Sequence, residues 1–336
     1  MTDAGQTRFR ILIALSGIEI VEPLGRGDQL ATGLFLTNDK SVIKPLLTPS
    51  FADAVGGLEF FHLLNADTAI YLDGSTDVAL DSRTSLRMLD LVLKMAGMFL
   101  DALWFVRDNA VNFELGFVDV LPPNAPSETH SNFLARVVRF ADGRGERVKF
   151  TRAELREARE LFRDVIFPAM ANTEHGAEES SPLIEAPKIA ARSGVPRITR
   201  ALYFLMLARS LSDPGLRIAL YCSLLESLFS TDSAEITHKI SHRIAIFLGT
   251  TVEERRAVFG MVKKAYTVRS KVIHGDVLGK DSVRDIHSTA VETDDFVRRI
   301  LRKIVRSEAL SEVFAAKKER LDEFFLHESF RLEVRP

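Results

Sequence analysis

A single cysteine, Cys222, stands in the 336 residues of this chain, which excludes an internal disulfide and any cysteine-rich zinc site and suits a reducing cytoplasm. Long uninterrupted apolar runs are lacking as well. The most hydrophobic window, Leu86 to Val106, carries Asp90, Lys94 and Asp101, so it reads as an amphipathic core helix and not as a membrane span. Ile11 to Ile18 follows Arg8 and Arg10 like a short signal, but no small-residue cleavage pattern follows and Glu19 and Glu22 interrupt it; it reads as a first β-strand.

Several enzyme signatures are missing too. There is no GxSxG elbow, and GDVLGK (Gly275 to Lys280) has one residue too few between its glycines for a phosphate loop, with Asp281 where Ser or Thr would hold magnesium. Cys222 lies in an apolar helix, where burial disfavours the thiolate, so it is a poor nucleophile. Asp73, Asp77 and Asp81 read as the ordinary acidity of a polar turn. No fixed-period repeat is present.

What remains is ordinary globular composition, 46% hydrophobic and 27% charged, in a chain long enough for two domains. The net charge of −2 hides an asymmetry. Residues 196–306 hold 19 Lys and Arg against 12 Asp and Glu, a net of +7, leaving −9 for the rest. A positive module is compatible with a polyanionic partner, and equally with plain solvated helix faces.

Arg8 to Leu47, rich in β-branched residues and broken by Gly25, Gly27, Gly33 and Pro45, predicts a few strands with turns. Leu58 to Leu72 is ambiguous between strand and short helix. Thr84 to Val106 has helical recurrence of apolar residues, Val111 to Leu121 and Ser131 to Phe140 read as strands joined through Pro122, Pro123 and Pro126, and Thr151 with Glu154 makes a capping box for a helix ending near Pro168. Residues 172–194 then lose periodicity and read as a linker. Helices follow at Pro196 to Leu211, Leu216 to Phe229, Ala234 to Leu248 and Thr251 to Ile273, with short loops that imply an antiparallel up-and-down bundle. Val283 to Arg306 adds a fifth helix, and Leu310 to Leu326 a tail helix packed on something the sequence does not reveal. The fold class is therefore α+β: a mixed α/β domain over 1–171, an all-α bundle over 195–308, and a helical extension over 309–336.

In the fourth helix Val258, Met261, Val262, Ala265, Tyr266, Val268, Val272 and Ile273 project onto one apolar face, and Arg269 falls in its middle. A guanidinium there costs several kcal/mol unless a carboxylate, a phosphate or water reaches it. Glu226, on the apolar second helix beside Cys222, Leu225, Leu228 and Phe229, is the expected partner. The pair has two readings, an ion pair that sets helix register and a catalytic one. His274 follows five residues after Arg269, an angular separation of about 140° on a straight helix. The two serve one site only if the helix ends early or a second copy of the chain completes it. Chance alone gives about 0.7 Arg–His pairs at this spacing in such a composition, so the spacing by itself is weak.

His238 and His242 are four apart, but with no HExxH glutamate and no nearby cysteine a metal site is the poorer reading. With Lys239 they form a solvent-facing or phosphate-facing basic strip, which Lys263, Lys264 and Lys271 would extend, although plain solvated lysines are the default reading of those three.

The segment AYTVRSKVIHG, with SLLESLF and ITHKISHRIAIFLG upstream, resembles the ApeA-like group of the HEPN superfamily over roughly Val195 to Arg306. The family's motif of Arg, four residues and His maps onto Arg269 and His274; family members often carry Asn, Asp or His after the Arg, where this chain has Ser270. The resemblance implies a metal-independent endoribonuclease without cofactor, in phage defence or as a regulated toxin. His274 would be the general acid or base, Arg269 the phosphate clamp, and Ser270 and Glu226 positioning groups. It also implies RNA as partner, a homodimer with a shared site and a possible regulatory protein. The alternatives are a bundle that only binds RNA, a nucleotide or a partner, and an antitoxin-like or nucleotidyl-transfer substrate component.

Overall fold

The computed structural model describes residues 6–134, 136–171, 194–232, 235–275 and 280–331. The linker expected over 172–194 lies outside them, save for Gly194. The chain divides into two compact units, one made chiefly of residues 1–136 and 145–168, the other of 137–144 and the C-terminal half.

The first unit is built on an antiparallel sheet of order β3-β4-β5-β1-β6-β7, from β1 (Thr7–Ala14), β3 (Asp28–Ala31), β4 (Leu34–Thr37), β5 (Ala69–Thr76), β6 (Leu115–Leu121) and β7 (Glu128–Phe133); β2 (Ile18–Ile20) pairs in parallel with β8 (Val148–Phe150). Alternation along β1 sorts its side chains to two faces. Leu12 and Ala14 join Tyr71 and Phe117 in a core closed by Ile43 of α1 (Lys40–Ile43), Phe51 of α2 (Pro49–Val55) and Leu63 of α3 (Gly57–Asn65). On the other face Ile13 meets Leu89 and Leu93 of α4 (Ser82–Val106) around Gly116, where a Cβ would come within 2.7 Å of Leu93. Only glycine lets α4 settle that close. Arg136 donates to Asp101 Oδ2 at 2.9 Å and to Gly97 O at 3.2 Å, a buried ion pair with further hydrogen bonding.

Here several sequence expectations are corrected. Lys40 to Leu46 is helical, because Asp39 caps α1 and Pro45 sits at the start of the 3-10 turn Lys44–Leu46. Leu58 to Leu72, ambiguous in sequence between strand and short helix, holds both: nearly all of α3 and the first half of β5. Asp73 lies in β5, not in a turn, opposite Arg10 in the register, and Asp81 is the N-cap of α4. The strand expected at Ser131 to Phe140 starts and ends earlier, because residues 137–144 leave the sheet for the helical unit. The capping box of Thr151 and Glu154 does open α5 (Arg152–Leu161), which continues through one π-turn into α6 (Phe167–Ala171).

The second unit is helical: α7 (Arg197–Arg209), α8 (Pro214–Phe229), α9 (Ile236–Leu248), α10 (Val252–His274), α11 (Lys280–Val305), α12 (Glu308–Ala315) and α13 (Lys318–Ser329). Helix α8 is central, packed against α7, α9, α10 and α11. Gly215 at its start faces Val272 near the end of α10, and Cys222 faces Tyr266, so α8 and α10 run antiparallel. Buried Arg217 ties residues 137–144 to this unit by donating to Arg139 O at 3.2 Å, to Phe140 O and, at 2.5 Å, to Leu211 O. Buried Tyr221 donates to Asp294 at 2.6 Å, which also pairs with Arg298 at 2.8 Å. The expected single tail helix is two, broken at extended Ala316 and Lys317. The break brings Phe314 and Phe325 against Phe229, at ring separations of 5.4 and 5.7 Å, where the tail finds its packing surface.

Candidate functional site

Helix α10 is set by its ends. Thr251 and Glu254 form a capping box, and Gly275, at φ 72°, ends the helix in the left-handed region that favours glycine. His274 is the last helical residue and is exposed.

Arg269 does not sit in the core. Its side chain is 40% exposed, with Nη2 at 4.0 Å from Oε1 of Glu226, itself 29% exposed. The projection placed Arg269 correctly around the helix but not along it. Val258, Val262, Ala265, Tyr266 and Val268 are buried, and nothing on α10 beyond Val268 is, because the end of α10 lies at the rim of the bundle, where half-buried Val272 meets the start of α8 at Gly215. Helical side chains lean towards the N-terminus of their helix, so Arg269 reaches back over Tyr266 to Glu226. The desolvation cost expected for a core guanidinium falls away accordingly.

Tyr266 is a member of this cluster that sequence reasoning missed. Its hydroxyl points to Cys222 O at 3.5 Å. Burial first, then Cys222 and Glu226, push the phenol well above its ordinary range, while Arg269 pulls the other way. Burial, then Glu226, drives the neighbouring Cys222 thiol up to about 12, which removes it as a nucleophile at neutral pH. The signal for Tyr266 was present: a buried tyrosine wants a polar partner, and Tyr266 stands three residues before Arg269 on the same face.

Because α10 is helical through His274, the imidazole and the guanidinium point about 140° apart. One chain brings Glu226, Tyr266 and Arg269 together and does not bring His274 to them. Ser270, next to Arg269, is exposed.

The basic strip is re-sorted. Lys239 is held by both oxygens of Asp232, at 2.9 and 3.0 Å, and Lys264 lies 3.3 Å from Glu292. Lys271 is exposed. His238 and His242 are exposed with parallel rings 6.5 Å apart; His238 meets Phe259 of α10 edge-on at 5.6 Å, and Lys263 lies over the Phe259 ring at 5.7 Å. Among the described residues no group of three or more His, Cys, Asp or Glu stands close enough to hold a metal ion. No described helix is long and apolar enough to cross a membrane. No protein-family profile, curated protein or solved structure matches this chain.

Proposed function

We propose that the chain is a metal-independent endoribonuclease whose site is completed by a second copy of itself. The observation that carries this reading is the solvent-open pair of Arg269 and Glu226 beside buried Tyr266 near the end of α10, with His274 exposed on the helix's last turn. The resemblance of the surrounding sequence to ApeA-like HEPN domains supports it.

RNA supplies its own nucleophile. A base takes the proton of the 2′-hydroxyl, the oxygen attacks the adjacent phosphorus, and the 5′-oxygen leaves with a proton, giving a 2′,3′-cyclic phosphate and a 5′-hydroxyl. An imidazole has the proton affinity for either transfer near neutral pH. A guanidinium steadies charge on the phosphorane through two parallel hydrogen bonds. His274 performs the proton transfer, Arg269 clamps the phosphate, Glu226 and Tyr266 orient Arg269, and Ser270 lies beside the clamp. Since His274 diverges from Arg269 within one helix, two-fold symmetry pairs the Arg269 of one protomer with the His274 of another. The work fits phage defence or a regulated toxin in a reducing cytoplasm, under the control of a partner protein.

Incubation of total RNA with wild type and Arg269→Ala in EDTA, followed by end-group analysis, tests the reading. Cyclic phosphate ends from wild type alone are expected, and cleavage that requires magnesium contradicts the mechanism. One observation favours a second reading, a non-catalytic RNA-binding or partner-binding bundle: Glu226 already occupies Arg269 within the chain. On that reading, expression of wild type is as harmless to cells as expression of His274→Ala.

A further inference from the structure

The face formed by α9 and α10 offers rings where charges were expected. Lys239 and Lys264 are engaged by carboxylates, Arg255 donates to Gly249 O at 3.1 Å, and Arg243 donates to Phe229 O at 2.6 Å and pairs with Asp322. Arg255 and Arg243 are thus tied to backbone oxygens of the fold, and Lys239 and Lys264 each have a carboxylate partner at the surface. Burial, then His238, Arg255 and Arg243, hold the His242 ring below its ordinary value.

What stays at the surface is a row: exposed His242 and His238 with parallel rings, half-buried Phe259 edge-on against His238, and Lys263 above the Phe259 ring. Every nucleobase has a face that stacks on planar rings. The two imidazole planes differ by only 5°, with centroids 6.5 Å apart, near twice the ~3.5 Å contact distance of ring carbons, so successive flat groups meet them in one orientation. Bases locked in a duplex have their faces covered by neighbours; unpaired bases do not.

We propose that His238 and His242 form a stacking platform for unpaired bases, braced by Phe259, with Lys263 meeting the phosphate beside it, so that the substrate class is single-stranded RNA. This rests on RNA being the ligand of the chain.

Fluorescence anisotropy of the full-length protein with short labelled strands tests it. The strands are a 2′-O-methyl oligouridylate, which lacks the nucleophile and cannot be cut, its duplex, and an abasic phosphodiester of equal length and charge. The uridylate is expected to bind about tenfold more tightly than the abasic strand and more tightly than the duplex. His242→Phe, which keeps a ring, retains that preference; His242→Lys, which keeps only a cation, loses it.

Equal binding of the uridylate and abasic strands, His242→Lys binding as tightly as wild type, or no binding of any strand overturns the platform. The predicted binding pattern together with uncut natural RNA removes the nuclease reading and leaves the platform standing.

Discussion

Arg269 and Glu226 face each other across α8 and α10 at 4.0 Å, the outer limit of an ion pair, with both side chains partly open to water. Exposed pairs of this kind contribute little to stability. The residues that look most structural on a helical wheel are therefore free to be spent on function.

Arg269→Ala and Glu226→Gln should accordingly shift unfolding by no more than about 1 kcal/mol in urea titrations. Arg269→Ala should abolish RNA cleavage. Exchanging the charges, Glu226→Arg with Arg269→Glu, should restore the pairing and the unfolding midpoint but not activity, because a carboxylate then stands where the proposed clamp would meet phosphate.

The approach of α10 to α8 at this end depends on Gly215. A Cβ there would lie 2.8 Å from Cγ2 of Val272, a stiff β-branched side chain two residues before His274. Gly215→Ala should cost about 1–3 kcal/mol by overpacking and displace the last turn of α10. Denaturation and cleavage measured on the same variant should show both losses together.

Cys222 gives the fold a dependence on high pH. Its thiol is raised from 9.0 to about 12, so between these values the folded chain keeps a proton that the unfolded chain releases. The stabilisation is complete below pH 9.0 and drains as pH climbs towards about 12. Tyr266, also raised by burial, adds to the same loss at the alkaline end. Cys222→Ala should be less stable at neutral pH but lose less of its stability above pH 9.0. Native protein at pH 8 should resist alkylation by iodoacetamide until it is unfolded.

How much was readable depended on whether the signal was local. Thr251, Glu254 and Gly275 mark the ends of α10 within a few residues of themselves, and Thr151 with Glu154 does the same for α5. The apolar recurrence of α8 announced a central helix. The solvent opening at Arg269 was hidden because periodicity reports direction around a helix, not where along it the neighbouring helices stop. Pairings between distant segments were hidden too. Asp73 looked like turn acidity because Arg8 and Arg10 are brought to it only by strand register, with Arg8 at 3.5 Å. Lys239 looked free for phosphate because Asp232 meets it across a helix start. Phe259 reached His238 from another helix, so no spacing rule joined them.

The most direct test mixes two inactive proteins. If the proposed shared site exists, Arg269→Ala and His274→Ala, combined after dissociation and reassembly, should form heterodimers in about half of the population at random pairing, each with one cleft holding Arg269 from one chain and His274 from the other. Recovery of RNA cleavage in the mixture, absent from either variant alone, is the predicted result. A mixture as inactive as its components, or a wild-type protein that cleaves RNA as a monomer in sedimentation, would contradict the shared site.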